Sequence, residues 1–218
     1  MPHGSPNSVP YGVVLACGSS LDRLTDDDFA VLCDRRRYIT VGVNRICLSA
    51  HLQEADYTPD YLLVWDPPRR DSEASNLGIH RSLNCAAAGG ATRVVVETGP
   101  RSREWPADCR PIVDRNWKGG IHGIQSIASA GDAAVNWLYR LGCRRVYLAG
   151  VDLAGPYCRW VDVDHGVPEN PWTNPDVTRA HASEWRRLAD LASDLELYCL
   201  DPGAVLVQHG IAKPGRLE

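Results

Sequence analysis

The chain reads as an α/β protein with a Rossmann-like, mostly parallel sheet carrying helices on both faces. Two observations predict this. Short apolar runs alternate with helical stretches along the chain. That alternation implies right-handed βαβ crossovers and a parallel sheet covered on both faces. Several of the runs stop at Gly, Asn or Asp, the residue types that gather where parallel strands end and ligands bind.

The elements follow in order. Gly12 to Ala16 is a buried-strand run that ends in Gly18-Ser19-Ser20. Ser20 is placed to cap a helix from about Leu21, with Leu21, Leu24 and Phe29 on one side. Tyr38 to Val43 and Tyr61 to Trp65 are the second and third strands, the latter stopped by Asp66-Pro67-Pro68. Arg93 to Glu97 is a fourth strand, after an Ala-rich segment compatible with a helix. A helix is predicted from Asp132 as its cap to Leu141, with Ala134, Val135, Leu138 and Leu141 as its apolar stripe and Gly142 at its stop. It leads into the strand Arg145 to Val151. A further helix covers about Arg179 to Ser193, and Leu195 to Leu200 is the closing strand, ended by Asp201-Pro202-Gly203.

At 218 residues, 44% hydrophobic and 23% charged, the chain suits one domain. We expect a tail over 1–10, a single nucleotide-binding domain over 11–210 and a C-terminal tail over 211–218. The stretch 154–177 holds Tyr157, Trp160 and Trp172 among prolines without usable periodicity, and reads as a lid near a strand end. The net charge of −4 argues against a general nucleic-acid grip and leaves only a locally basic groove for that partner. The eight cysteines contain no C-x-x-C pair, so reduced thiols in a cytoplasm fit better than a zinc site. No apolar stretch is long enough for a membrane span. Homo-oligomerisation is left open.

The chemistry-bearing residues fall at strand ends. The turn Gly18-Ser19-Ser20 would offer backbone N–H groups and a helix start to a phosphate. Asn44, after the second strand, can donate and accept to a base or ribose, or simply cap its loop. Asp66, the stretch Ser129-Ala130-Gly131 and Asp152 complete a row of nucleotide-binding candidates along one sheet edge.

The run from Ser129 through Arg144-Arg145-Val146-Tyr147-Leu148-Ala149-Gly150-Val151-Asp152 resembles the small-residue turn, helix and "IYL-x-G-I/V-D" strand of the bacterial α-2,3-sialyltransferases. The related group of archaeal 6-hydroxymethylpterin diphosphokinases shares that signature. Ala16-Cys17-Gly18-Ser19-Ser20-Leu21 is similar to their "G-N-G-P-S-L" turn. Val43-Asn44-Arg45 falls where the sialyltransferases carry "C-N-Q", and Leu195 to Pro202 resembles "IKLYCLCP". The matches run in order from residue 12 to about 207.

The resemblance implies that the turn and Asn44 hold a nucleotide-sugar donor. It makes His181 the base on an acceptor hydroxyl, with direct displacement at the sugar. It puts Tyr157 and Trp160 where that family has tyrosines that steady the departing phosphate. A His near a helix start is kept neutral by the positive helix end, which suits a base. Two departures stand out. Cys17 replaces a nucleotide-contacting Asn, and Asp66 replaces an Asn before Pro. A carboxylate there suits a Mg²⁺-bound triphosphate, which keeps a Mg²⁺-dependent diphosphokinase as the alternative. If a metal is used, Asp66 with Asp152, or the D-x-D pair Asp162 and Asp164, would hold it. A nucleotide-binding module without turnover is the third reading.

Overall fold

The structure, a computed structural model, describes residues 10–65, 73–96, 110–112, 129–159 and 174–218. Its strands are β1 (Tyr11–Leu15), β2 (Tyr38–Val43), β3 (Tyr61–Val64), β4 (Thr92–Val96), β5 (Arg110–Ile112), β6 (Arg145–Ala149), β7 (Glu196–Cys199) and β8 (Lys213–Pro214). The helices are α1 (Asp26–Leu32), α2 (Ala50–Glu54), α3 (Glu73–Ala88), α4 (Ala130–Arg140), α5 (Pro175–Leu191) and α6 (Val205–Gln208).

The strands form one sheet in the order β5-β4-β3-β2-β1-β6-β7-β8, and every neighbouring pair is parallel. This is the Rossmann-like arrangement. From β1 the chain winds outward to β5, then crosses back to lay β6 on the other side of β1. The switch point therefore lies between β1 and β6, where connections diverge and leave a crevice at the C-terminal strand ends.

Period-two alternation assigns each strand residue to a layer. Val14, Val41, Val43, Leu63, Val146 and Leu148 face the core shared with α4, α5 and α6. Val13, Leu15, Leu62, Val64, Tyr147 and Ala149 face the core shared with α1, α2 and α3. Helices thus cover both faces, as the unbroken apolar strands require.

Several boundaries differ from expectation. Ser20 does not cap an α-helix. It sits inside a 3₁₀ turn, Ser19–Arg23, whose N-cap is Gly18. The first α-helix starts later, behind Thr25, which forms a capping box with Asp28. Helix α4 begins at Ala130 with Ser129 as cap, and Asp132 is the N3 member of its capping box. Gly142, at φ 98°, provides the expected stop. Helix α5 starts at Pro175 behind Asn174, four residues earlier than Arg179. The C-terminal segment expected as a tail adds strand β8 to the sheet and buries Leu217. No helix among the described residues is long and apolar enough to cross a membrane.

Candidate functional site

A cavity of about 300 Å³ opens at the switch point, at the small end of the range for ligand pockets. Its floor is formed by the ends of β1, β2, β3 and β6, through Gly18, Asn44, Trp65 and Asp152. Ser129, Ala130 and Gly131 at the start of α4 close one side, and His181 of α5 and Tyr157 close the other. Gly18, Asn44, Ser129, Ala130, Gly131, Asp152, Tyr157 and His181 are thus brought to one cavity. Asp66, Trp160, Asp162 and Asp164 lie outside the described residues.

The Gly18-Ser19-Ser20 turn faces inward on the protein itself. Gly18 N–H donates to the Gly150 carbonyl at 2.8 Å, Ser19 N–H to the Pro156 carbonyl at 3.1 Å, and Ser20 N–H to Asp152 Oδ2 at 2.9 Å. All three N–H groups expected to cradle a phosphate are therefore already used. The Ser20 hydroxyl donates to Asp152 Oδ1 and accepts from Gly150 N–H at 3.0 Å. A weak contact from Ser19 Oγ to Asp152 Oδ2 spans 3.5 Å. Together these bonds tie the end of β1 to the end of β6. Burial pushes the Asp152 carboxyl above the usual carboxylate range, against the pull of the Ser20 bonds.

Close approach explains the glycines of this seam. A Cβ on Gly18 would stand 2.5 Å from the Gly150 carbonyl oxygen and 2.6 Å from Asp152 Oδ2. Gly150 has φ 72°, and a Cβ there would overlap the Ala16 carbonyl. Asn44 and Leu153 also adopt left-handed backbone, at φ 53° and 54°, and such outliers gather at functional sites.

Asn44 acts first as a loop cap. Its Oδ1 accepts from Trp65 N–H at 3.0 Å and its own N–H donates to the Leu63 carbonyl at 2.9 Å. Its carbonyl accepts from Ser82 Oγ at 2.8 Å. This binds the ends of β2, β3 and α3 together around the cavity floor. Ser129 Oγ accepts from Asp132 N–H at 3.4 Å, and Asp132 Oδ1 accepts from Ser129 N–H at 3.0 Å. The N–H groups of Ala130 and Gly131 have no acceptor among the described residues. The helix start left for an anion is therefore that of α4.

His181 is the seventh residue of α5 and so stands beyond its first turn. Its lowered pKa comes from burial, with Glu184 pulling it up, and the helix start is not the cause. Three residues earlier on α5, Thr178 donates from Oγ1 to the Leu153 carbonyl at 3.0 Å. Of the stretch expected as a lid, 154–159 is docked. Gly18 and Tyr157 form an antiparallel bridge, and Cys158 N–H donates to the Cys17 carbonyl at 2.9 Å. Arg159 N–H donates to Asp22 Oδ2 at 2.8 Å. Residues 160–173 lie outside the described residues, and 175–177 belong to α5.

Trp65 was not among the expected site residues, although an aromatic at a strand's C-terminal end is a signal for one. No group of three or more His, Cys, Asp and Glu placed to hold a metal occurs among the described residues. No known family model matches the chain, and no curated protein matches it.

Proposed function

We propose that the protein is a nucleotide-sugar-dependent glycosyltransferase that carries its donor at the β1/β6 switch point. The observation that carries this reading is the company of His181. A half-buried imidazole with a lowered pKa shares one cavity with Asn44, Tyr157 and the start of α4. The in-order resemblance to the bacterial α-2,3-sialyltransferases assigns the same positions to donor binding and base. The donor phosphate would lie at the Ala130 and Gly131 N–H groups, with the base and ribose toward Asn44 and Trp65. His181 would take the proton of an acceptor hydroxyl as its oxygen attacks the anomeric carbon. The bond to the nucleotide phosphate breaks with its electron pair, and the Tyr157 hydroxyl would donate a hydrogen bond to that departing oxygen.

The diphosphokinase alternative would draw Asp152 to Mg²⁺, away from Ser20. A thermal-shift panel of CMP-, UDP- and GDP-sugars against ATP, with and without Mg²⁺, tests both. Stabilisation by one nucleotide-sugar without metal, with turnover lost but binding kept in His181→Ala, supports glycosyl transfer. A shift with ATP–Mg²⁺ alone sinks it. Tight binding without product from any donor supports a module without turnover.

A further inference from the structure

A second cavity, of about 490 Å³, lies beyond Ser20 from the first. Ser20 lines it, while Asp152, its hydrogen-bond partner, lines the first, so one hydrogen-bonded pair separates the two. Leu24, Leu200 and Leu217 supply apolar walls, and Arg23 and Arg216 supply two guanidinium groups.

The acids around this cavity are occupied within the protein. Asp28 Oδ2 accepts from Thr25 N–H and Thr25 Oγ1, both at 2.8 Å, in the cap of α1. Asp201 Oδ1 accepts from Arg23 Nη1 at 2.6 Å and from Gly203 N–H at 2.9 Å. Arg216 is exposed and forms no ion pair among the described residues. Its backbone is held on both sides. Gly215 N–H donates to the Cys199 carbonyl at 2.8 Å, and Leu217 is buried. The chain passes so close to β7 that a Cβ on Gly215 would come within 2.7 Å of Tyr198 Cβ. An unmatched cation is thus presented from a pinned segment beside an apolar recess.

We infer that this second cavity binds a small oxyanion, a carboxylate or phosphate on a compact apolar body. The anion would sit against Arg216, whose planar fork matches either group, with Arg23, held by its ion pair to Asp201, at the edge of the site. The apolar part would rest on Leu24, Leu200 and Leu217. The site is separate from the nucleotide cavity, and its test does not depend on what that cavity takes.

The experiment follows backbone amide resonances of the whole chain during titration with inorganic phosphate and, separately, benzoate. Chloride at equal ionic strength is the control. Saturable shifts at Leu24, Gly215 and Leu217 are expected, with benzoate binding more tightly than phosphate; equal or weaker benzoate binding would overturn the role of the apolar wall. Arg216→Ala should weaken binding about tenfold. Arg216→Gln, which keeps most of the stem but removes the charge, should show the same loss. Shifts that chloride reproduces, that never saturate, or that persist at equal affinity in both variants would overturn the inference.

Discussion

Asp152 ties two distant strand ends together, because it accepts from both the N–H and the hydroxyl of Ser20, 132 residues away. Ser20→Ala would leave the Gly150 N–H and Asp152 Oδ1 without that hydroxyl in a buried setting. The expected cost is about 1–3 kcal/mol, measured by urea denaturation. The raised carboxyl also has a pH signature. The folded state keeps its proton to higher pH than the unfolded chain does, so this contribution to stability is present at low pH. It fades as pH rises from the ordinary carboxylate value through the folded one. Asp152→Asn should abolish that fall in a series of denaturation curves, and an unchanged slope would show that another acid causes it.

His181 has the opposite sign. Its pKa is lowered by burial, so the folded state resists protonation. Stability is lost as pH falls below the ordinary imidazole value of 6.5 toward the folded value. His181→Gln should flatten that part of the curve. If His181 is the base, the acid limb of kcat/KM lies below pH 6.5 and disappears with the same substitution.

At the scale of elements, the β1 and β6 ends meet with no room for a side chain. Gly150 combines a left-handed backbone with contact on the Ala16 carbonyl, whereas Gly142, at φ 98°, faces open space. Gly150→Ala should therefore cost about 2–4 kcal/mol, from conformation and overlap together. Gly142→Ala should cost only the backbone part, about 1–2 kcal/mol. Thermal melts of the two variants make the comparison, and equal losses would mean that the seam relaxes. The local elements were largely legible in the sequence. Six strands are legible because their short apolar runs stand out between helical stretches, and Gly142 is legible as a stop. Helices α2 and α6 are not, because four or five residues span barely one helical period, and neither are strands β5 and β8, which have two or three residues and include a proline. The starts of α1, α4 and α5 shifted because Thr25, Ser129 and Asn174 each competed with nearby residues that can also cap.

On the scale of the whole molecule, both helical layers share one sheet, and the thiols report on it. Cys143 and Cys199 belong to one core and Cys47 and Cys158 to the other. Burial pushes the Cys47 and Cys199 thiols up to about 12 and Cys143 to about 11, and raises Cys158 as well. Cys33 is exposed. Ellman's reagent should therefore modify Cys33 in the native protein and leave these four untouched. On unfolding, the four should become reactive together, since neither layer keeps its core without the strands between them. Mass-resolved labelling across a urea series checks this, and early exposure of one pair alone would mean that the layers melt separately.

The sequence by itself determined the parallel α/β architecture and the gathering of Gly18, Asn44, Ser129 and Asp152 at one edge of the sheet. It could do so because strand identity and strand ends are written in local apolar periodicity and in the residues that break it. It also placed His181 near that edge, through the resemblance. Only the tertiary structure decided how those groups are used. It commits the three N–H groups of the Gly18 turn to Gly150, Pro156 and Asp152, and it docks Tyr157 beside that turn. It also makes burial the cause of the His181 shift. The physical reason is distance along the chain. A donor's availability depends on which acceptor the fold brings within about 3 Å, and here those acceptors lie more than a hundred residues away.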